Sequence, residues 1–255
     1  MPKTALITGA SSGLGAEFAR QIAMTGADLV LVARDKDALE EVADRLRTKY
    51  GVGVEVLPAD LLKRRHLAKV VARISDPGRP IELLVNNAGF GLPLDFAAND
   101  IDDEVKHLAL HIEVPMRLSH AALAHMLPRG RGRIVNVASV AGFIPRGTYG
   151  ACKGWLISFS RWSNARYAAQ GVTTTAVCPG FTHTNFHERM GLAPGKEGVP
   201  PWMWLDARNV VAEGLRDAAR GKPVSVPSLR YRALVALSRL APASLAMRMG
   251  ERGRR

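Results

Sequence analysis

Tyr149 and Lys153 stand four residues apart where a helical pattern begins, so both project from one face of that helix. A phenol titrates at about 10 and can exchange a proton near neutrality only if a nearby positive charge stabilises its anion. A lysine one turn away supplies such a charge; a solvated surface pair is the plain alternative. Near the N-terminus, Thr8-Gly9-Ala10-Ser11-Ser12-Gly13-Leu14-Gly15 follows a short apolar run and leads into an amphipathic segment ending at Gly26. Glycines at a strand-to-helix turn let the backbone approach a pyrophosphate, which the free N–H groups and positive end of the helix attract. Three glycines at that spacing arise by chance about 0.2 times in such a chain, so their place after the first strand carries the reading. A tight turn without a ligand is the alternative. His183 and His187 have a helical ligand spacing, but no third ligand accompanies them and no metal is expected.

The elements that must position these groups follow from an alternation of apolar runs and helical segments. Strands are expected at Thr4 to Thr8, Asp28 to Ala33, Val52 to Leu57, Ile81 to Asn86, Arg133 to Ala138, Val172 to Cys178 and Pro223 to Val226. Helices are expected near 13–25, 35–49, 62–75, 99–127, 149–169 and 206–220, several ending at a glycine (Gly26, Gly51, Gly171, Gly221). Such alternation predicts an α/β fold: one doubly wound parallel sheet of about seven strands, helices on both faces, and a short helical C-terminal tail. The whole of 1–255 reads as one domain, with a dinucleotide-binding and catalytic core over 1–178, a substrate lid over 179–205 and a basic tail over 228–255.

Composition narrows the class. The chain has 255 residues, 47% hydrophobic, far too apolar for disorder. No apolar run is long enough to span a bilayer, and the glycine segment leaves no room for a signal peptide, so a cytoplasmic protein is expected. Cys152 and Cys178 alone make no disulfide framework. The net charge of +12 leaves an anionic partner open, but the charge is spread along the chain without a recognition motif, so nucleic acid is not expected.

Taken in order, the glycine segment, Asn86-Asn87-Ala88-Gly89, Ser139, Tyr149-x-x-x-Lys153 and Pro179-Gly180 resemble the classical short-chain dehydrogenase/reductases, over residues 3 to about 225. The resemblance implies a Rossmann fold and hydride transfer between a nicotinamide cofactor and a carbonyl or secondary alcohol. It implies that Tyr149 exchanges the proton, that Lys153 also bonds the nicotinamide ribose, and that Ser139 polarises the substrate oxygen. It also implies that Gly9, Ser11, Ser12, Gly13, Leu14 and Gly15 cradle the cofactor and that Asp60 and Leu61 flank the adenine. Asn87, Ala88 and Gly89 would pack along the ribose, with Pro179, Gly180 and Thr184 facing the nicotinamide. Two departures stand out. His111 occupies the position, 28 residues before Ser139, where the family usually has an asparagine that holds a proton-relay water, and the loop Val140 to Thr148 is short.

At the end of the second strand, Ala33 stands where NAD sites place a carboxylate and Arg34 follows, so NADP(H) is expected over NAD(H). Asp35 reads as a helix cap, and Ser11 and Ser12 could add hydroxyls to the 2′-phosphate. Phe181, Phe186, Met190, Leu192, Trp202 and Trp204 in the lid suggest an apolar small-molecule substrate; the tryptophans could instead dock the next helix. In the tail, Leu234, Val235, Leu237 and Leu240 among arginines could meet an anionic membrane surface or a partner subunit, or simply close the fold. A homo-oligomer, dimer or tetramer, is expected. The functional alternatives are a non-catalytic dinucleotide-binding regulator and another reaction on the same scaffold, such as dehalogenation.

Overall fold

The apolar runs form seven parallel strands in this computed structural model, which describes residues 3–184 and 199–240. The strands are β1 (Thr4–Thr8), β2 (Asp28–Ala33), β3 (Val54–Pro58), β4 (Leu83–Asn86), β5 (Gly132–Val137), β6 (Val172–Val177) and β7 (Val224–Ser225). Their order is β3-β2-β1-β4-β5-β6-β7, so the winding reverses between β1 and β4. A crevice opens at the carboxyl ends of the strands at such a reversal.

Alternating side chains feed two cores. Ala5, Ile7, Leu29 and Leu31 pack on α1 (Gly13–Ala23), α2 (Lys36–Tyr50) and α7 (Ala207–Ala219). Leu6, Val30, Val32 and Leu84 pack on α3 (Arg64–Ile74) and α5 (Val114–Met126). A helix α6 (Gly147–Tyr167) covers β5 and β6 through Leu156 and Ile157. Under the crevice, Asn86 Nδ2 donates to Ser119 Oγ and Asn136 Oδ1, and Asn136 Nδ2 donates to Ser160 Oγ, tying β4 and β5 to α5 and α6. Asp35 caps α2 by accepting from the Ala38 N–H at 3.0 Å.

Three expectations are corrected. The third strand starts at Val54, because Gly51 closes α2 in a left-handed conformation and Asp28 Oδ1 captures the Gly53 N–H at 2.7 Å. The single helix expected over 99–127 is two helices, α4 (Ile101–Leu108) and α5, joined by one π-helical turn, Ala109–Glu113. Pro115 explains the break: it has no N–H for the His111 carbonyl and its ring crowds that group, so the ladder widens by one residue. The helix expected from 149 starts two residues earlier, at Gly147, where a positive φ of 58° suits glycine.

The described part of the tail is α8 (Leu229–Leu240). Tyr231 and Val235 are buried; the Tyr231 hydroxyl donates to the Met203 carbonyl and accepts from the Phe181 N–H, closing the helix on the loop after β6. Leu229 and Leu237 are exposed. Phe186, His187, Met190, Leu192 and the chain beyond Leu240 lie outside the described residues.

Candidate active site

The crevice is lined by the β1 to α1 turn, the loop after β4, the ends of β5 and β6, and the start of α6. The turn is built for close approach. Gly9 and Gly13 have φ of 66° and 56°. A Cβ on Gly15 would lie 2.0 Å from the Gly9 carbonyl oxygen, so only glycine lets helix and turn meet. Thr8 and Asn87 brace it: Thr8 Oγ1 accepts from the Asn87 and Ala88 N–H groups at 3.0 Å each, and Asn87 Nδ2 donates to the Thr8 and Gly9 carbonyls. The Asn87 side chain is therefore spent on holding the loop. Ser12 precedes α1 without capping it through its side chain, and the first turn carries no acidic residue, so the helix N-terminus offers N–H groups and positive potential to the crevice. These features fit a dinucleotide pyrophosphate.

At the other end of the crevice, Tyr149 and Lys153 share a face of α6, with the Lys153 ammonium 5.6 Å from the Tyr149 ring centre. Lys153 is buried and donates to the Val137 carbonyl at 2.8 Å; burial pushes its pKa down to about 8. Ser139 starts a short 3-10 turn, Val140–Phe143, and its Oγ accepts from the Ala141 N–H at 3.1 Å. Ser139, Tyr149, Lys153, Pro179, Gly180 and Thr184 all line this crevice, as do Gly9, Ser12, Gly13, Leu14, Asn87, Ala88 and Gly89.

Ser11, Gly15, Arg34, Asp60 and Leu61 are not among the lining residues of this crevice. Arg34 is exposed on the turn after β2, and Leu61 buries its side chain in the core, so only its backbone can face an adenine. His111 lies behind the crevice on the π-helical turn, fully buried. Its Nε2 accepts from the Phe90 N–H at 3.2 Å, which leaves the proton on Nδ1. It borders a small cavity with Thr8, Asn86, Val137 and Lys153. His111 Nδ1 and Asn86 Oδ1 are buried there without protein partners among the described residues. Burial, with Lys153 and His107 adding to it, holds the His111 pKa well below the imidazole range.

Sequence reasoning missed three residues around this pair. His107 is buried against His111, ring centres 4.2 Å apart, and 6.0 Å from Tyr149; burial pushes its pKa down to about 4. Glu104 is buried and accepts from Thr148 Oγ1 and Asn99 Nδ2 at 2.7 Å each, tying α4 to the start of α6. Arg146, just before α6, lines the crevice. The i, i+4 spacing of His107 and His111 was the available signal for the first. Among the described residues no group of three His, Cys, Asp or Glu is placed to hold a metal, and no helix is long and apolar enough to cross a membrane.

A family model described as short chain dehydrogenase matches residues 3–193. Among solved structures, a short-chain dehydrogenase from Sphingobium yanoikuyae in complex with NADPH is 35% identical, with a TM-score of 0.84, covering 92% of this chain and 93% of that one. A bulky-bulky ketone specific alcohol dehydrogenase from Comamonas testosteroni is 33% identical, with a TM-score of 0.79, covering 94% and 92%. A very-long-chain 3-oxoacyl-CoA reductase from Anas platyrhynchos is 32% identical over 187 residues, which are 71% of this chain and 60% of that protein.

Proposed function

Because the chain belongs to the short-chain dehydrogenase family, we propose that it is an NADP(H)-dependent oxidoreductase interconverting a carbonyl and a secondary alcohol on a largely apolar small molecule. The observation that carries this is the pairing of Tyr149 with the buried Lys153 ammonium in the same crevice that takes in the N-terminal turn of α1.

The dinucleotide, when bound, supplies or accepts the hydride. The turn around Gly9, Gly13 and Leu14 would hold its pyrophosphate, and Lys153 its nicotinamide ribose. In reduction, Tyr149 gives its phenolic proton to the carbonyl oxygen as negative charge develops there. Lys153 makes that loss affordable by stabilising the phenolate across a poorly solvated space. Ser139 donates to the same oxygen and fixes its direction. Tyr149 then regains a proton through Lys153, and the small cavity beside Lys153 also borders His111 and Asn86, whose Nδ1 and Oδ1 are buried without a protein partner among the described residues and would hold a single water. His111 would so take the relay position as a neutral imidazole.

Arg34, exposed at the end of β2 with no carboxylate at Ala33, supports NADP(H) over NAD(H), and the NADPH complex of the Sphingobium relative agrees. Titration calorimetry tests this: NADPH should bind more tightly than NADH, with Arg34→Ala weakening mainly the former. Equal affinities would remove the preference. A non-catalytic regulator would bind NADPH yet turn over no carbonyl in a screen of ketones and aldehydes of varied size. The proposal includes self-association, for which exposed Ile101, Val105 and Leu108 on α4 and Trp162 on α6 offer apolar surface; light scattering at a monomer's mass would reject it. Contact of the tail with a membrane requires the intact chain to sediment with anionic vesicles at low salt.

A further inference from the structure

We propose that Glu104 is a positioning residue for the proton step: by holding Thr148 and Asn99 at once, it seats the first turn of α6, and Tyr149 with it, against the loop between β4 and α4. This rests on the oxidoreductase reading above. Tyr149 is the third residue of α6, in a turn that the helix's own sequence does little to hold. Arg146, the residue before the helix, supplies no side-chain cap, and the first turn contains no acidic residue. The N–H groups of Gly147, Thr148 and Tyr149 have no intrahelical acceptor, so the placement of the turn depends on contacts from outside. Thr148 Oγ1 donates to Glu104 Oε2 at 2.7 Å, which brings a carboxyl group from α4 to the positive end of α6. Glu104 Oε1 accepts from Asn99 Nδ2 at 2.7 Å, and the same Nδ2 donates to the Pro93 carbonyl at 2.9 Å. The loop itself lies on the start of α6, where a Cβ on Gly147 would stand 3.7 Å from Leu94 Cδ2.

A carboxyl group costs free energy to bury unless hydrogen bonds offset it. Glu104 is 6% exposed and both its oxygens are engaged, one to the helix that carries Tyr149 and one to the loop. His107, one turn further along α4, sets its ring centre 6.0 Å from that of Tyr149, and His111 stands at 5.8 Å with the planes at 74°. Residues 104, 107 and 111 thus run along the Tyr149 side of α6. The rings restrain the tilt of the phenol, and the Glu104 bonds fix the turn that bears it. Placement matters because Ser139 sits on a separate turn after β5, so the two hydroxyls meet one substrate oxygen only when α6 is correctly seated. Glu104, Thr148 and Asn99 are not among the residues lining the crevice, so their effect on the reaction passes through Tyr149.

Glu104→Leu removes both acceptors at similar volume. Glu104→Gln keeps one acceptor and offers N–H to Thr148 Oγ1, a hydroxyl that can accept as well as donate. Ethyl butyrylacetate and propyl pentyl ketone, two largely apolar carbonyl compounds, serve as substrates. A misplacement of about 1 Å can cost about 100-fold, so kcat in Glu104→Leu should fall about 10–100-fold, with KM and calorimetric NADPH affinity within about threefold of wild type. Glu104→Gln should return kcat to within about fivefold of wild type. The solvent deuterium isotope effect on kcat should rise in Glu104→Leu and return in Glu104→Gln, because a misaligned proton transfer comes to limit the rate. Loss of folded protein alone would lower kcat and NADPH stoichiometry together and leave the isotope effect unchanged; that result overturns the inference. Should Glu104→Leu fail to fold, Thr148→Val, which cuts only the link to α6, is read by the same three measurements. Wild-type kcat in the folded variant, or an equal loss in Glu104→Leu and Glu104→Gln, overturns the inference while the oxidoreductase reading stands. If the wild type reduces neither compound nor any other ketone or aldehyde, that reading falls and takes the inference with it.

Discussion

Replacing Lys153 by Met should stabilise the fold while removing activity. Burial holds the Lys153 pKa at about 8 against an ordinary 10.5. A base whose pKa is lower in the folded state binds fewer protons there. Its charge therefore penalises folding fully below about pH 8, and the penalty fades as the pH rises toward 10.5. At about 1.4 kcal/mol per unit, the penalty is about 3 kcal/mol near pH 7 and about 1.4 kcal/mol near pH 9.5. The bond to the Val137 carbonyl returns about 1 kcal/mol in the wild type, and methionine packing adds a constant that does not vary with pH. The difference in unfolding free energy between Lys153→Met and wild type should thus shrink by about 2 kcal/mol from near pH 7 to near pH 9.5. Urea denaturation across that range measures it directly. A difference that stays level would refute the claim that this ammonium is held charged at a cost, and with it the account of how the phenolate is stabilised. Turnover in Lys153→Met should fall at least about 100-fold at every pH.

Gly15→Ala places a methyl 2.0 Å from the Gly9 carbonyl, so urea melts should show a loss of about 1–3 kcal/mol or more and calorimetry should show NADPH binding lost. Thr8→Val leaves the Asn87 and Ala88 N–H groups without their shared acceptor; a loss of about 2–4 kcal/mol in the same melts is expected. Both buried imidazoles are kept neutral, His107 at about 4 and His111 well below its usual range. The rate profile should therefore show no imidazole step between about pH 5 and 7, and one appearing in wild type but not in His111→Asn would contradict the neutral relay. Stability should instead decline as pH falls from 6.5 toward 4, since the unfolded chain takes up the His107 proton first.

Much of this arrangement was legible in the sequence because it rests on local rules. Short apolar runs gave β1 and β2 to the residue and β5 and β6 to within one, with β4 starting two residues late, and the glycines at 9, 13 and 15 mark a turn that favours glycine at each place. Tyr149 and Lys153 follow from helical spacing. What stayed hidden depends on the fold as a whole. Nothing in the spacing of Lys153 says that its ammonium would bury itself against the Val137 carbonyl and lose pKa units there. Pro115 could have flagged the break after His111, since a proline inside a helical pattern removes a donor, but the widened turn that keeps the chain helical needs the surrounding packing. Leu61 sits beside Asp60 in sequence yet faces the core, a matter of local direction that residue type does not reveal. Arg146 looked like one more charge in a basic chain and becomes notable only when the fold brings it to the wall of the crevice.

The central claim is that Tyr149 is the proton donor. Tyr149→Phe keeps the ring and its contacts with His107 and His111 but removes the one proton it can give. NADPH oxidation with ethyl butyrylacetate or propyl pentyl ketone, measured beside calorimetric NADPH affinity, is the direct test. The account predicts an unchanged affinity and a loss of turnover of about 10²–10⁴-fold at every pH where the wild type works. Near-normal turnover by Tyr149→Phe would contradict it.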